Sequence, residues 1–365
     1  MRVFINIGPH PQYREIVDYP PKGIEYEIAG KTDVSKYYSR AAQKLRKRTN
    51  FIIKVFGVPR MRIYKTDADL IFSTRGILPI TSKPWVTEME HPYAYVGLDY
   101  KNWGIRQRAV VRSFLESDNC KKIMPNSTGA YIALENSFNT ENIKRKLKTV
   151  YLAIHYKKIK KIKHSGIQIL TITSWAYDRG FNIIKDIYPK LKKRYNINWT
   201  IKTDTAFLRR DQKFIDQYGI KVIKDRLSEE KMDELYGSSD IFLYPSFVDT
   251  NSIVNYEAMR AALPVVATDI FGFTDKIIPY HNGLLIHDYG IFWNKNCLRT
   301  GIFDLRNYHN QKMSADLYEK LEYLIKNKKE RLKLGHNAET TIKSGFLSIG
   351  KRNEKLKKIF ESAVK

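Results

Sequence analysis

The sequence is poor in cysteine, which excludes two kinds of small-domain architecture. Its 365 residues include two cysteines, Cys120 and Cys297, which lie far apart in the chain. Two such positions can form neither a disulfide framework nor a zinc site with paired cysteine ligands. We therefore expect a protein of the reducing cytoplasmic interior, whose domains are stabilised by hydrophobic cores.

Long hydrophobic runs are also missing. No window holds 18 uncharged apolar residues, which predicts that no segment spans a membrane. The apolar run in the opening MRVFINIGPHP is too short for the core of a secretory signal, and no small-residue cleavage site follows it. Attachment to the inner surface of a membrane stays open on these grounds.

Acidic residues are scarce relative to basic ones. The chain has 64 Lys and Arg against 38 Asp and Glu, which gives a formal net charge of +26 at pH 7. Such a surplus favours an anionic partner, and nucleotide phosphates, anionic lipid and nucleic acid all qualify. The alternative interpretation is a general basic bias of the surface that serves no partner.

What the sequence does contain is a repeated alternation of apolar strand patterns with helix patterns. In the first half, strands are predicted at 1–8, 68–74, 83–90 and 121–127, with a helix at 105–117. In the second half, strands are predicted at 167–173, 198–203, 220–225, 240–246 and 263–269, with helices between them. This alternation predicts an α/β protein with parallel sheets and helices on both faces.

Two such series predict two doubly wound domains. We place an amino-terminal domain at 1–150 and a carboxyl-terminal domain at 165–349. The basic passage 141–166 has few helix-capping residues and is predicted to connect them, with one short strand at 149–154. Ligands of such sheets bind at the carboxyl ends of the strands, so a cleft between the domains is the expected site.

The stretch SSDIFLYPSFVDTNSIVNYEAMRAALPVVATD, residues 238–269, has a pattern suited to a nucleotide sugar. A buried strand ends at Pro245, and a loop rich in capping residues predicts a helix start near Asn251 or Ser252. The first-turn amides of a helix and its positive dipole end can bind a diphosphate. Asp249 before the helix and Glu257 within it are carboxylates that can accept hydrogen bonds from sugar hydroxyls. Alone, such an acid pair is also consistent with a capping neighbour and a solvated helix residue.

The same stretch, continued through IFGFTDKI and NGLLI, closely resembles glycosyltransferase family 4, the group 1 retaining nucleotide-sugar transferases of the GT-B fold. The family pattern is an acid, seven residues, Glu-Ala-Met, then Leu-Pro-Val-Val-Ala-Thr, a Gly pair and Asn-Gly-Leu-Leu. The likeness covers about 50 residues and extends weakly upstream to about residue 167. It implies two Rossmann-like doubly wound domains facing a central cleft, with a final helix, 350–365, crossing back onto the first domain.

The resemblance also implies roles for individual residues. The catalytic set is His91, Asp249 and Arg179, and the donor-binding set is Glu257, Thr250, Asn251, Ser252, Ile253, Ser174 and Gly8. In this scheme Asp249 contacts the donor sugar, the backbone amides of 250–253 face the diphosphate and Glu257 binds the ribose. Gly8 is what remains of a glycine-rich first turn.

The chain departs from the family at several of these positions. Asp249 stands where Glu is usual, and only Gly272 remains of the Gly pair. The family has two cations after the first strand of this domain, where developing charge on the leaving phosphate must be stabilised. Arg179 matches one of them, but Ser174 stands at the other. Lys202 is a candidate replacement.

In the amino-terminal domain the resemblance points to His91 as the residue that orients the sugar or acceptor. Glu88 and Glu90 are alternatives as a polar contact or base, and Asn126 and Ser127 are candidates to line the cleft. A residue that caps the strand before Pro92 is the alternative interpretation of His91. His10 is interpreted as a loop residue.

Residues 34–66 hold ten basic residues and no acidic one, with an apolar stripe at helical spacing. Such a segment can lie on an anionic membrane, and lipid-acceptor members of the family use this part of the domain in that way. A solvated helix packed on the domain is the alternative. We therefore expect a cytoplasmic protein, with attachment to the inner membrane surface left open.

Taken together, these features predict a metal-independent retaining hexosyltransferase without a bound cofactor. It would move a sugar from a nucleotide-sugar donor, such as a UDP- or GDP-sugar, to a glycan or lipid-linked acceptor. A sugar-nucleotide epimerase, a catalytically inactive GT-B scaffold and a basic protein that binds or glycosylates DNA are the alternatives. The last would need aromatic stacking platforms or a recognised nucleic-acid motif, and the sequence shows neither.

Overall fold

The computed structural model describes residues 1–8, 10–29, 58–98, 100–203, 208–289 and 305–365, with isolated positions between 48 and 56 and between 293 and 298. The chain divides into two compact units. The first comprises Met1–His155, Lys295–Thr300 and Ile349–Lys365, and the second comprises Tyr156–Asn294 and Gly301–Ser348.

The first unit is built on a parallel sheet. Its strands are β1 (Arg2–Asn6), β2 (Glu25–Ala29), β3 (Met61–Ile63), β4 (Leu70–Ser73), β5 (Leu78–Ile80), β6 (Trp85–Met89) and β7 (Cys120–Pro125). Five of them form one sheet in the order β2-β1-β4-β6-β7, and β3 pairs with β5 separately. All residues of β4 and β6 are buried, as expected of inner parallel strands covered on both faces.

In the continuous ranges that the structure describes, four α-helices of this unit precede the second unit in the chain. They are α1 (Pro11–Val17), α2 (Ile105–Glu116), α3 (Thr128–Phe138) and α4 (Glu141–Lys146). The predicted strands at 1–8, 68–74, 83–90 and 121–127 and the predicted helix at 105–117 are each confirmed within a few residues.

The basic passage after residue 140 differs from the prediction in two ways. The hydroxyl of Thr140 accepts from the backbone N–H of Ile143 and caps α4, so the passage begins with a capped helix. The predicted strand at 149–154 is wrong, because this segment makes only scattered hydrogen bonds alongside β7, such as that from the Val150 amide to the Pro125 carbonyl.

The second unit contains a six-stranded parallel sheet. Its strands are β8 (Ile167–Ile172), β9 (Ile197–Lys202), β10 (Lys221–Ile223), β11 (Ile241–Tyr244), β12 (Val265–Thr268) and β13 (Gly283–Ile286), in the order β10-β9-β8-β11-β12-β13. Two-residue strands β14 (Trp293–Asn294) and β15 (Cys297–Leu298) follow in sequence. Both faces of β11 and β12 are buried, whereas β9 alternates between buried and half-buried residues.

Helices of the second unit follow the strands in βαβ order. They are α5 (Phe181–Arg194), α6 (Gln212–Gln217), α7 (Glu229–Gly237), α8 (Ile253–Arg260), α9 (Phe273–Lys276), α10 (Gln311–Lys326) and α11 (Lys328–Lys343). Three basic residues lie in the last turn of α5, where cations stabilise the negative end of the helix dipole. The Ser228 hydroxyl caps α7 and two acids lie in its first turn, as the sequence predicts.

The last helix, α12 (Ile349–Val364), belongs to the first unit. Leu356, Ile359 and Phe360 enter the core formed by β1 and β4, and the Phe360 ring lies 5.4 Å from that of Phe72. Arg352 is buried and donates to the backbone carbonyls of Glu15 and Tyr19 beside α1.

None of the helices in the described ranges is both long and apolar enough to cross a membrane. The basic segment 34–66 lies mostly outside the described residues, so its interpretation as a membrane-binding helix stays a prediction. Its final part, Met61–Ile63, is the strand β3.

Candidate functional site

A groove of about 400 Å³ lies at the carboxyl edge of the six-stranded sheet, within the second unit. The ends of β8, β9 and β11 and the residue before α8 contribute to its wall. The polar residues that line it are Ser174, Arg179, Lys202, Arg226, Tyr244 and Ser252. This is the edge at which parallel α/β sheets bind their ligands.

Arg179 and Asp249, predicted from the sequence to be catalytic, form an ion pair beside this groove. The Arg179 Nη2 atom lies 3.2 Å from Asp249 Oδ2, and both side chains are largely buried. The same carboxylate oxygen accepts the Tyr244 hydroxyl at 2.8 Å. Arg179 also donates through Nε to the Tyr244 oxygen at 2.7 Å and through Nη1 to the Val248 carbonyl. Three groups from three positions of the chain are thus held in one arrangement.

The charge states of this cluster follow from its surroundings. Burial lowers the pKa of the Arg179 guanidinium, but Asp249 and Tyr244 raise it by more, so its pKa stays above the ordinary value. Burial is the largest cause that raises the pKa of the Tyr244 hydroxyl, and the charge of Asp249 adds to it. At neutral pH Arg179 is therefore a cation and the Tyr244 phenol is protonated.

Some bonding capacity of the cluster stays unused. Arg179 has five N–H donors, and its contacts within the described residues occupy one on each nitrogen. Two donors on Nη1 and Nη2 remain. Among the same residues, Asp249 Oδ1 has no hydrogen-bond partner. The cluster can therefore bind an anion and a hydroxyl donor without losing its internal contacts.

Gly180 fixes the turn that carries Arg179. It precedes α5 with φ +78°, and a Cβ atom there would lie 2.2 Å from the Pro245 carbonyl oxygen. Only glycine adopts this backbone conformation without strain and allows so close an approach. The Arg-Gly pair therefore brings the end of β8 against the end of β11.

The predicted donor loop lies at the start of α8. The helix begins at Ile253 after Ser252, and the Ser252 side chain does not cap it. The Thr250 carbonyl accepts from the Gly272 amide at 3.2 Å, which ties the loop to the segment before α9. The helix start that the sequence predicts near Ser252 is confirmed, and Ser252 lines the groove.

Asn251 is turned into the interior of the unit. Its Oδ1 accepts from the Lys276 ammonium at 2.7 Å and from the Tyr256 hydroxyl at 3.2 Å. Lys276 is fully buried, and its Nζ lies 4.5 Å from the Phe273 ring centre and 4.8 Å from that of Tyr256. Asn251 therefore anchors the loop through its side-chain oxygen, and these contacts do not serve the donor-binding role that the resemblance implies.

Tyr236 orients the side chain of Glu257, the predicted ribose ligand. The Tyr236 hydroxyl donates to Glu257 Oε2 at 2.8 Å. Burial, followed by the negative charge of Glu257, raises the pKa of this phenol well above its ordinary value, so it stays a donor. The carboxylate is thereby held on the half-buried side of α8.

The turn after β8 contains Ser174, which stands where the resemblance predicts a second cation. Ser174 is exposed in the groove, and the neighbouring Trp175 is 56% exposed there. Lys202, the candidate replacement, lines the same groove, and so does Arg226, which the sequence analysis did not consider.

The remaining predicted residues lie in the first unit. His91 is 3% exposed and begins the 3₁₀ helix Pro92–Val96, where its Nδ1 accepts from the Tyr93 amide at 3.2 Å. It is thus a capping residue, whatever further role it has. Gly8 lies beside Arg75, whose Nε would be 2.6 Å from an added Cβ. His10 caps α1 by accepting from the Gln12 amide.

Glu88 lies at the end of β6 in the first unit. It is buried, and its Oε1 accepts from Gln12 Nε2 at 3.2 Å. Its Oε2 has no partner among the described residues. Burial and, to a lesser degree, the charge of Glu90 raise the pKa of this carboxyl to about 8. Asn126 and Ser127 are buried at the end of the neighbouring strand β7, and Ser127 caps α3.

Four residues of the site escaped the sequence analysis: Tyr236, Tyr244, Arg226 and Lys276. Tyr244 had a visible signal, since it is the last residue of a predicted strand and therefore lies at the ligand-binding edge. Lys276 follows Thr274 and Asp275, a polar run that gives no sign of its burial. Tyr236 and Arg226 carry no pattern of their own.

Comparisons with known proteins agree with this geometry. The family described as glycosyl transferases group 1 matches residues 154–291. An uncharacterized glycosyltransferase of Methanocaldococcus jannaschii is 24% identical over 176 residues, which is 47% of this chain and 45% of that protein. An alpha-maltose-1-phosphate synthase of Mycolicibacterium smegmatis is 33% identical over 69 residues, 19% of this chain and 18% of the relative. The matches thus span less than half of these curated relatives.

Solved structures are similar over the whole chain. The Anabaena protein Alr3699/HepE, solved in complex with UDP, covers 99% of each chain with a TM-score of 0.67 at 12% identity. WaaG, a glycosyltransferase involved in lipopolysaccharide biosynthesis, covers 98% of this chain and 99% of its own with a TM-score of 0.59 at 15% identity. At these identities the similarity concerns the fold. The chain therefore has the GT-B fold, and its residues 154–291 match the family model of the group 1 glycosyl transferases.

Proposed function

We propose that this protein transfers a sugar from a nucleotide-diphosphate sugar to a glycan or lipid-linked acceptor. The observation that carries the proposal is the groove of the second unit, where Arg179, Asp249 and the start of α8 meet at the carboxyl edge of a parallel sheet. The group 1 match over residues 154–291 supports it independently.

Residues that line the groove, together with Asp249 and Glu257 near it, suit the separate parts of such a donor. The remaining donors of Arg179 and the first-turn amides of α8 suit the diphosphate. Glu257, held by Tyr236, suits a ribose diol, and Asp249 Oδ1 suits a hydroxyl of the transferred sugar. A solved relative of the same fold binds UDP-glucose, which supports a uridine nucleotide as the first donor to test.

We further propose that transfer retains the anomeric configuration and needs no metal ion. Asp249 is ion-paired with Arg179 and hydrogen-bonded to Tyr244, which weakens it as a nucleophile that would form a covalent sugar intermediate. The bond from the anomeric carbon to the diphosphate would break as the acceptor oxygen bonds on the same face. The departing phosphate would take the acceptor proton.

The test is a thermal-shift panel with UDP, GDP, ADP and their glucose conjugates, each with and without EDTA. We expect one nucleotide class to stabilise the protein, by about 2.7 kcal/mol when it is present at 100 times its Kd. Glu257→Ala should abolish the shift because the ribose loses its carboxylate partner. EDTA should leave the shift unchanged.

The matched control is Glu234→Ala, which removes an exposed carboxylate from α7. It should bind the stabilising nucleotide like the unaltered protein. Stabilisation by no nucleotide would contradict the proposed function and favour a non-catalytic scaffold. For the stabilising class, the configuration of the product, read by NMR against that of the donor, tests retention.

A further inference from the structure

The groove has a deficit of positive charge at one position. Ser174 stands where the resemblance predicts an arginine, and its side chain is exposed in the groove. The other expected cation, Arg179, is ion-paired with Asp249 at 3.2 Å, so the pair carries no net charge. A diphosphate bound here would need positive charge from elsewhere.

Two further cations line the same groove. Lys202 and Arg226 both contribute to its wall. Within the ranges that the structure describes, neither forms an ion pair with a carboxylate. Within those ranges their charges are uncompensated, unlike that of Arg179.

The sheet register explains why they lie beside Ser174. Lys202 is the last residue of β9 and pairs with Ile172 of β8, and its carbonyl accepts from the Thr173 amide at 2.9 Å. Arg226 follows β10, the next strand, whose Ile223 pairs with Lys202. The ends of three adjacent strands thus place a serine, a lysine and an arginine along one edge.

We infer that Lys202 and Arg226 together neutralise the nucleotide diphosphate in place of the missing arginine at Ser174. The inference rests on the proposed function and concerns the same groove. The start of α8 supplies about half a positive charge from its dipole, which is too little for a diphosphate alone. Lys202 and Arg226, which line the same groove, supply the remaining positive charge and explain how the site tolerates serine at position 174.

The experiment compares ligands that differ only in phosphate. The Kd values of UDP, UMP and uridine are measured by calorimetry for the unaltered protein, Lys202→Met, Arg226→Met and the double variant. If a nucleotide with another base binds more tightly, the diphosphate, monophosphate and nucleoside of that base are used instead. We expect each single change to weaken the diphosphate about tenfold, which is 1.4 kcal/mol, and the double change about a hundredfold. The Kd of the nucleoside should not change.

Two controls separate charge from structure. Lys202→Arg keeps the charge and should retain most of the diphosphate affinity. Lys221→Met removes an exposed lysine at the opposite, amino end of β10 and should change no Kd. The diphosphate affinity should also lose part of its salt dependence in the double variant. Unliganded melting temperatures confirm that each variant is folded.

The outcomes distinguish the inference from the function on which it rests. If the unaltered protein binds no nucleoside diphosphate, the proposed function fails. If it binds one and the variants bind it equally well, the inference alone fails. An equal loss of affinity for the nucleoside would show that these cations contact the base and not the phosphates, which also overturns it.

Discussion

At the scale of single residues, Glu88 is a buried carboxyl group with few polar partners. One carboxyl oxygen accepts from Gln12 and the other has no partner among the described residues, so ionisation is disfavoured. The pKa of about 8 in the folded protein lies above the ordinary value of 4.5. The folded state therefore holds a proton at pH 6 to 7 that the unfolded chain has released.

This difference predicts how stability depends on pH. A raised pKa gives a contribution that is fully present below the unfolded value and is lost as pH rises through the folded value. We expect Glu88→Gln to match the unaltered protein near pH 5 and to be more stable at pH 8, by on the order of a few kcal/mol. Urea denaturation at pH 5, 6, 7 and 8 measures the difference.

The control for this prediction is Glu25→Gln, which changes an exposed carboxylate on β2 of the same unit. Its difference from the unaltered protein should stay flat over the same pH range. A flat difference for Glu88→Gln as well would show that the carboxyl is ionised in the folded protein.

The pair of Arg179 and Asp249 shows which side-chain facts a sequence can supply. Asp249 is a candidate because a carboxylate just before a helix start can accept from sugar hydroxyls, and Arg179 is one because the family resemblance implies a cation after the first strand of this domain. Their contact at 3.2 Å could not be predicted, since it depends on how β8 and β11 adjoin. The same holds for Lys276, whose burial is set by the aromatic rings of α8 and α9.

At the scale of elements, the turn at Gly180 packs the end of β8 against the end of β11, and these two strands carry the site. A side chain there must adopt φ +78° and would meet the Pro245 carbonyl at 2.2 Å. Gly219 has a similar φ of +61°, but nothing lies within 4 Å of an added Cβ. A substitution at Gly219 therefore introduces backbone strain alone, whereas one at Gly180 introduces both backbone strain and a steric clash.

We expect Gly219→Ala to cost about 1 kcal/mol, from the left-handed conformation alone. Gly180→Ala should cost at least 2 kcal/mol more, by our order-of-magnitude expectation for a core clash, because the Pro245 backbone must move. It should also weaken nucleotide binding, since Arg179 precedes the turn. Thermal denaturation and nucleotide titration of both variants measure this. Equal costs would mean that the contact with Pro245 relaxes freely.

The elements themselves were predictable where their apolar runs are continuous. The inner strands β1, β4, β6, β8 and β11 were all predicted, because buried parallel strands consist almost wholly of apolar residues. The edge strand β2 was missed, since EYEIA is half exposed and carries two acids. The strand predicted at 149–154 shows the opposite error, in which an apolar pattern follows a sheet edge without pairing with it.

At the scale of the whole molecule, the first unit depends on a distant part of the chain. Phe360 of α12 is fully buried and lies against Phe72 in a core that also includes Val3 and Ile5. Arg352 reinforces this packing through backbone carbonyls near α1, and burial lowers its pKa to about 10. It stays a cation at neutral pH, satisfied by hydrogen bonds.

Phe360→Ala should therefore destabilise the first unit by about 3–5 kcal/mol. Hydrogen exchange followed by mass spectrometry should show faster exchange in peptides from β1 and β4. Peptides from β8 and β11 in the second unit should exchange as before. Lys358→Ala, at an exposed position of the same helix, is the control and should leave both sets unchanged. Faster exchange in all four strands would mean that the two units unfold together.

The position of α12 also sets an order of events during synthesis. The ribosome makes β1 first, yet the helix that closes the core over it follows every residue of the second unit up to Ser348. The second unit can thus assemble on the growing chain while the first still has an open apolar face. Until α12 has been made and has left the ribosome, that face is exposed to chaperones and to neighbouring nascent chains, so the delay between the synthesis of β1 and that of α12 bears on the yield of folded protein.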